Sequence, residues 1–428
     1  MRLAESPLLA ASAPSSPALW TLEGWRSADP VMGIALLMIV ALLASEALSR
    51  FARLPRAVGP MLVGALAGPL LLRLLDLSEL DRWKPLLDLA VGVLVFELGT
   101  RIRPRWLIDN PWLAAKGVAE ALLAAVAVTG VLWALGAPPI SAALAGAVAM
   151  ATSPVITIVV QHELRARGQV TERLLLMAAL NSMLAALALK VWRVVAVADA
   201  PGLDWQPALA NAVYVLGGSF LLGTAAGMVL RRLAGAMHSA ANTAVLQLAL
   251  LILAAMLANQ FTLSPLLALL IAGMVARQRM GHTLKVEPQL GTAGAALTVL
   301  LFLSFGLLSN FDGLAAAWPW ALAIVLARLA GKTAAVLALA RPSGLGWRQS
   351  IGLALALQPA SNLAVLLSVS TFGWPTNFPS PDADVLRAVV IATTFMQLTG
   401  PWWTQFGLKH VARECPSGPS ELRTPRAP

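Results

Sequence analysis

Residues 147–160, AVAMATSPVITIVV, place Thr152-Ser153-Pro154 in the middle of an apolar run. Residues 352–369, GLALALQPASNLAVLLSV, do the same with Gln358-Pro359-Ala360-Ser361-Asn362. Proline frees a carbonyl inside a helix, and neighbouring hydroxyls and amides can satisfy the unwound backbone where no water reaches. One such proline is usually a kink. Two of them, both flanked by polar residues and at corresponding places in two halves of a chain, point to a transport site built from interrupted helices.

Around these two segments the chain reads as thirteen apolar stretches, near 31–48, 58–75, 84–100, 112–135, 140–161, 172–198, 207–230, 243–260, 263–277, 291–309, 318–340, 349–371 and 385–406. The breaks fall in the fifth and the twelfth, seven stretches apart. An odd offset reverses direction across a membrane, so stretches 1–6 and 8–13 read as inverted repeats with stretch 7 as linker, a 6+1+6 arrangement. The expected fold is an all-α polytopic membrane protein with about thirteen transmembrane helices and two broken crossing helices.

Composition agrees. Of 428 residues, 58% are hydrophobic and 12% charged, and the mean hydropathy is +0.76. A soluble domain carries about 25% charged residues, so a soluble enzyme, a disordered chain and a coiled coil are excluded. Basic residues cluster after the odd-numbered stretches: Arg50/Arg53/Arg56, Arg101/Arg103/Arg105, Arg165/Arg167/Arg173, Arg231/Arg232, Arg277/Arg279/Lys285, Arg341/Arg348 and Lys409/Arg413/Arg423/Arg426. This alternation predicts an N-terminus outside and a C-terminus in the cytoplasm. It also assigns the net charge of +10 to cytoplasmic loops facing a lipid bilayer, with no nucleic-acid partner. Trp112, Trp133, Trp192, Trp318, Trp347 and Trp402 lie near predicted span ends, where indoles favour the interface.

Three regions follow: an extracytoplasmic segment 1–30, a transmembrane domain 31–408 and a Pro- and Ser-rich tail 409–428 expected to be disordered. Pro7, Pro14 and Pro17 break the early apolar region, which reads as a loose amphiphilic segment rather than a signal peptide. The single cysteine, Cys415, is in the tail, and His162, His238, His282 and His410 fall in predicted loops or the tail. No cofactor and no metal site are expected.

Charges inside a span cost at least about 2.5–3.5 kcal/mol each and mark function by default. Those well inside stretches are Glu46, Asp88, Glu97, Lys116, Glu120, Lys190, Arg328 and Lys332. Glu46 and Asp88 lie close enough to span ends to reach the interface, and Lys190 can snorkel. Glu97, four residues before Arg101, reads as half of a local ion pair. Lys116 and Glu120 share one helix face and are able to pair. Arg328 is too deep to snorkel and needs a buried partner.

The residues resemble the monovalent cation:proton antiporter superfamily, the sodium/proton exchanger fold, over about residues 31–410. LPRAVGPMLVGALAGPLLL (54–72) is similar to its proline- and glycine-rich early helix, and LLDLAVGVLVFELGTRI (86–102) to its Phe-x-x-Gly helix. The Thr-Ser-Pro crossover follows at Thr152, Ser153 and Pro154. FTLSPLLALLIAGMVARQR (261–279), LTVLLFLSFGLL (297–308), LARLAGK (326–332) and the Gln-Pro segment complete the order.

The resemblance implies a mobile core of stretches 4–6 and 11–13, a dimerisation side of stretches 1–3 and 8–10, and exchange of a monovalent cation for protons by alternating access. It also implies a homodimer. In relatives an Asn-Asp or Asp-Asp pair on the sixth helix supplies the working carboxylate. Here ERLLLMAALNSMLAALALKV (172–191) has Asn181 at the first position and Ser182 at the second. Ser361-Asn362 stands where the twelfth helix often has Gly-Glu. Arg328 matches the basic residue that opposes the sixth-helix acid. The implied ion site is Thr152, Ser153, Asn181, Ser182, Ser361, Asn362 and Arg328.

A serine cannot hold and release a proton near neutral pH as a carboxylate does. Three readings stay open. Antiport persists with another carboxylate as proton carrier, Glu120 or Glu97, Glu120 being favoured by its place in the core. Alternatively the site takes another solute or an anion, guided by Arg328. In the third reading the chain is a transport-inactive sensor or scaffold. A membrane-embedded enzyme has no paired acids, catalytic histidine or phosphate loop to support it. The lack of a transit-like presequence favours a bacterial inner membrane.

Overall fold

The computed structural model of this chain describes residues 30–70, 77–102, 110–198, 205–237, 239–277, 291–309, 311, 313–361 and 381–415. The N-terminal segment up to residue 29, Asn362, the second half of the twelfth stretch, His238, His282 and the tail beyond Cys415 lie outside the described residues.

All described secondary structure is helical. In chain order the helices are α1 (Pro30–Ala47), α2 (Val58–Ala65), α3 (Leu77–Arg101), α4 (Pro111–Ala134), α5 (Pro139–Met150), α6 (Pro154–Leu164) and α7 (Gln169–Ala198). There follow α8 (Trp205–Ala234), α9 (Ala240–Gln260), α10 (Pro265–Arg277), α11 (Gly291–Leu307), α12 (Leu314–Ala338), α13 (Trp347–Ala356) and α14 (Pro381–Gln405). Wider π-turns extend α1 to Ala52, α2 to Leu70 and α14 to Ala412. Each of the thirteen predicted stretches contains a helix. The fifth is divided into α5 and α6 at Thr152-Ser153-Pro154.

The helices sort into two packed groups. One is built from α1–α3 and α8–α11, through the contacts α1–α2, α2–α11, α3–α10 and α8–α10. The other is built from α4–α7 and α12–α14, through α4–α12, α4–α5, α5–α7 and α12–α14. The first group closes where glycines let backbones touch, as small residues do in bundles with no hydrophobic drive between helices. A Cβ on Gly273 of α10 would lie 2.2 Å from Phe96 O of α3, and one on Gly306 of α11 would lie 2.1 Å from Met61 O of α2.

Seven of the described helical segments are long and apolar enough to cross a membrane. The segment Pro139–Leu164, containing the break, has 89% of its apolar window buried, whereas Met32–Ala52 has 22%. The broken helix is therefore central and α1 peripheral. Outward-facing side chains such as Leu43, Val126 and Leu221 form the apolar coat a bilayer requires. Trp112, Trp133, Trp318, Trp347 and Trp402 are exposed near helix ends. Trp192 differs: it is buried and donates from Nε1 to Ile140 O at 2.8 Å. The surface pair Arg56–Glu46, at 3.3 Å, agrees with the interfacial reading of Glu46.

The predicted boundary at residue 408/409 falls inside a helix. Beyond that helix Glu414 turns back onto the start of α7. Its carboxylate accepts from Val170 N and Thr171 N, each at 2.7 Å, and from Thr171 Oγ1 at 2.8 Å. These are orphan donors at a helix N-terminus, and a carboxylate satisfies both their hydrogen bonds and the local dipole.

Candidate ion-binding site

The site begins with backbone that the sequence forces out of helix. Pro154 is well placed as the first residue of α6, and Ser153 caps that helix, accepting from Ile156 N at 3.3 Å. Ala151 before it is extended. On the other side α13 ends at Ala356 and residues 358–361 leave the helix. The two breaks bond to one another: Ser153 N donates to Pro359 O at 2.9 Å, and Thr152 Oγ1 to Leu357 O at 3.1 Å. The polar residues flanking the two prolines thus meet in one place.

Arg328 of α12, fully buried, binds both broken ends. Its Nε donates to Ala149 O at 2.9 Å, Nη2 to Ala151 O at 2.7 Å, and Nη1 to Gln358 O at 2.7 Å. Nη1 also reaches Gln358 Oε1 at 3.3 Å. These carbonyls belong to the C-terminal ends of α5 and α13, where the helix dipoles are negative. The buried partner that Arg328 requires is this backbone, not an acid of the sixth stretch.

One turn on, Lys332 is also fully buried and forms an ion pair with Glu120 of α4. Lys332 Nζ further donates to Thr152 Oγ1 at 3.0 Å and to Met150 O at 3.3 Å. Asn181 Nδ2 donates to the other Glu120 oxygen at 2.6 Å and to Thr152 Oγ1 at 3.1 Å. Asn181 Oδ1 is buried with no partner. Ser182 Oγ is occupied with Thr152 O at 2.9 Å and Ala178 O at 3.0 Å. Glu120, Asn181, Thr152 and Lys332 are each 0% exposed, so the site is closed to bulk solvent, and among the described residues Glu120 is its one carboxylate.

Of the residues singled out from sequence, Thr152, Ser153, Asn181, Ser182 and Arg328 converge here, together with Glu120. Ser361 is buried at the end of the second break, and Asn362 lies outside the described residues. Glu97 is elsewhere. It pairs with Arg101 at 2.8 Å and with His162 Nε2 at 2.9 Å, while Arg101 also bonds Gln161 Oε1 at 3.0 Å. His162 stands on the last turn of α6 rather than in a loop.

Two relationships were missed. Lys116 does not pair with Glu120, because Glu120 is taken by Lys332 and Lys116 donates to Ser343 Oγ at 3.1 Å. Lys332 itself was absent from the expected site. The signal for it was its spacing of four from Arg328, which puts both cations on one helix face.

The model of the family "sodium/hydrogen exchanger, transmembrane" matches residues 34–406. The chain belongs to the sodium/hydrogen exchanger family. It is therefore an integral membrane protein built as a transporter. Among solved structures it is similar to the sodium proton antiporter MjNhaP1 from Methanocaldococcus jannaschii at pH 8. That match has 14% identity and a TM-score of 0.66, covering 89% of this chain and 98% of that one. An electron-microscopy structure of the same antiporter matches with 16% identity and a TM-score of 0.69, covering 91% and 100%. These likenesses establish the fold. No curated protein matches the chain.

Proposed function

We propose that this exchanger-family member carries out monovalent cation:proton antiport, with sodium or potassium as the cation, and uses Glu120 as its exchange carboxylate. The observation that carries the reading is the buried Glu120–Lys332 ion pair beside the open acceptor Asn181 Oδ1. Glu120 can balance one positive charge at a time. In the arrangement described that charge is the Lys332 ammonium. A dehydrated cation entering against Glu120, Asn181 Oδ1 and the Thr152 hydroxyl must displace it. With the Arg328 charge answered by the two helix ends, a second cation beside the Lys332 ammonium and the single Glu120 carboxylate is unfavourable by several kcal/mol, so cation binding drives a proton out. Proton return restores the pair. Ser182 and Ser153 hold the broken backbone, and Arg328 neutralises its two helix ends. Ser361 and Asn362 belong to the same lining on this reading.

Alternating access moves α4–α7 and α12–α14, carrying the site, against α1–α3 and α8–α11. The partition of contacts supports this division, and the matched breaks support a 6+1+6 inverted repeat. The basic loops support an N-terminus outside and a C-terminus in the cytoplasm. A homodimer rests on family resemblance. The anion reading loses its support, since Arg328 spends its donors on carbonyls.

The test is proton flux in proteoliposomes with an internal pH dye, adding sodium, potassium and lithium in turn. A cation-dependent change in internal pH that vanishes in Glu120→Gln is expected. Flux that survives this substitution removes Glu120 from the mechanism, and no response to any cation in unaltered protein removes antiport.

A further inference from the structure

Three polar side chains of α14 are not used by the ion site. Thr393 and Gln397 are 3% exposed and Thr394 is 4% exposed. Elsewhere on the helix hydroxyls are satisfied: Thr399 donates to Phe395 O at 2.8 Å and Thr404 to Gly400 O at 3.1 Å. The side chains of Thr393, Thr394 and Gln397 make no such bond, nor one to any other described residue. Their polar atoms are not sealed in packing either, as Thr224 Oγ1 is. An unpaired but reachable polar group inside a membrane domain faces a water-lined space rather than lipid.

Their place on the helix says where that space lies. At 3.6 residues per turn, Met396, Gly400 and Thr404 share one side of α14, and this side meets the breaks. Met396 Sδ is 3.5 Å from Arg328 Nη1, and Thr404 Oγ1 donates to Ala356 O at 3.3 Å. A Cβ on Gly400 would lie 2.9 Å from Pro359 Cβ. Leu398, on roughly the opposite side, packs against the apolar cluster that contains Met61 of α2 and Ile158 of α6. Of the two flanks between, one shows Phe395 and Trp402 to lipid. The other carries Thr393, Thr394 and Gln397.

The register narrows the place further. Thr404 beside Ala356 and Gly400 beside Pro359 make the two segments antiparallel. The next turn of α14, with Gln397, therefore comes level with Ser361, itself buried. The polar flank joins the second break to the boundary with α2, where the two helix groups meet. Its two hydroxyls and one carboxamide offer uncharged oxygens. These can replace part of a monovalent cation's water, yet without a charge they hold it weakly, as a passage must.

We propose that Thr393, Thr394 and Gln397 line the aqueous path by which the cation passes between the α2 boundary and the site, with Gln397 as its innermost station. The cargo rests on the antiport reading; the path itself does not.

The experiment uses the full-length protein with Cys415, its single cysteine, replaced by serine, and introduces one new cysteine at a time. Thr393→Cys and Gln397→Cys are treated with a permanently cationic methanethiosulfonate. The controls are Ala392→Cys, at a position 0% exposed in the apolar core, and Phe395→Cys, at a position 48% exposed on the lipid side. Only a thiol in contact with water ionises and reacts readily. Residues 393 and 397 should react at least about tenfold faster than 392 and 395, one unit of thiol pKa being tenfold in thiolate. Complete modification at 397 should then abolish cation-dependent flux in proteoliposomes, because a bulky cation stands in the path. Reaction at 393 and 397 no faster than at 392 overturns the path. Full flux after complete modification at 397 overturns its use by the cation. Fast reaction at both positions, in a protein whose unmodified form exchanges no cation, upholds the path and removes antiport alone.

Discussion

Glu120 of α4 and Lys332 of α12, 212 residues apart in sequence, form an ion pair in which both side chains are 0% exposed. Such a pair is weak support for stability by itself, because desolvating both charges offsets most of their attraction. Its value lies in what it forbids. Neither partner can change charge without disturbing the other, which is the property an exchanger needs.

The first prediction follows from that coupling. Glu120→Gln leaves a buried ammonium unpaired and should destabilise the protein by about 3–5 kcal/mol while abolishing exchange. Adding Lys332→Met should recover most of the stability and none of the transport. Thermal unfolding and liposome flux on the single and double variants separate the two effects. Recovery of transport in the double variant would sink the assignment.

Ser182 gives a second prediction. Its hydroxyl donates to Thr152 O and Ala178 O, so a carboxylate there faces carbonyls. Ser182→Asp should cost about 1–3 kcal/mol in cation-free buffer. Sodium should then raise the Tm of the variant more than that of the unaltered protein, because a bound cation answers the added charge. Equal sodium effects on both would mean that residue 182 does not face the cation.

The fold was largely legible before the structure because its determinants are local. The apolar stretches report themselves by composition, and Ser153-Pro154 dictates a cap and a break through properties of those residues alone. The polar residues of the site were legible for the same reason. Their partners were not. Spacing places Lys116 and Glu120 on one face, yet Glu120 turns to α12, since a pairing across helices depends on which faces meet. Lys332 was visible as a misplaced charge, but its destination on α4 is a tertiary fact. Glu414 was hidden among tail residues, because nothing local shows that a carboxylate beyond the last span will find the start of α7.

Arg328 carries the third prediction. It binds carbonyls of Ala149, Ala151 and Gln358 that have lost their helical partners. Arg328→Gln should destabilise by about 2–4 kcal/mol and speed amide exchange around 149–153 and 357–361. Arg328→Lys should recover little of this, since one ammonium cannot span three carbonyls held by a planar fork. A lysine variant indistinguishable from the unaltered protein would show that charge alone is required.

The last prediction concerns the group of helices against which the site is expected to move. A Cβ at residue 273 would lie 2.2 Å from Phe96 O, 2.9 Å from Thr100 N and 3.0 Å from Gly99 Cα. All of these are backbone atoms, so no side chain can swing away and α3 and α10 must separate. Gly273→Ala should therefore cost about 1–3 kcal/mol. Gly130 on α4 is the control, because a Cβ there meets nothing within 4 Å. Gly130→Ala should be neutral, or stabilise by up to about 1 kcal/mol through helix propensity. The two substitutions add the same methyl group, so a difference in Tm between them measures the closeness of the α3–α10 crossing. Equal Tm values would mean that these helices are not in backbone contact in the folded protein.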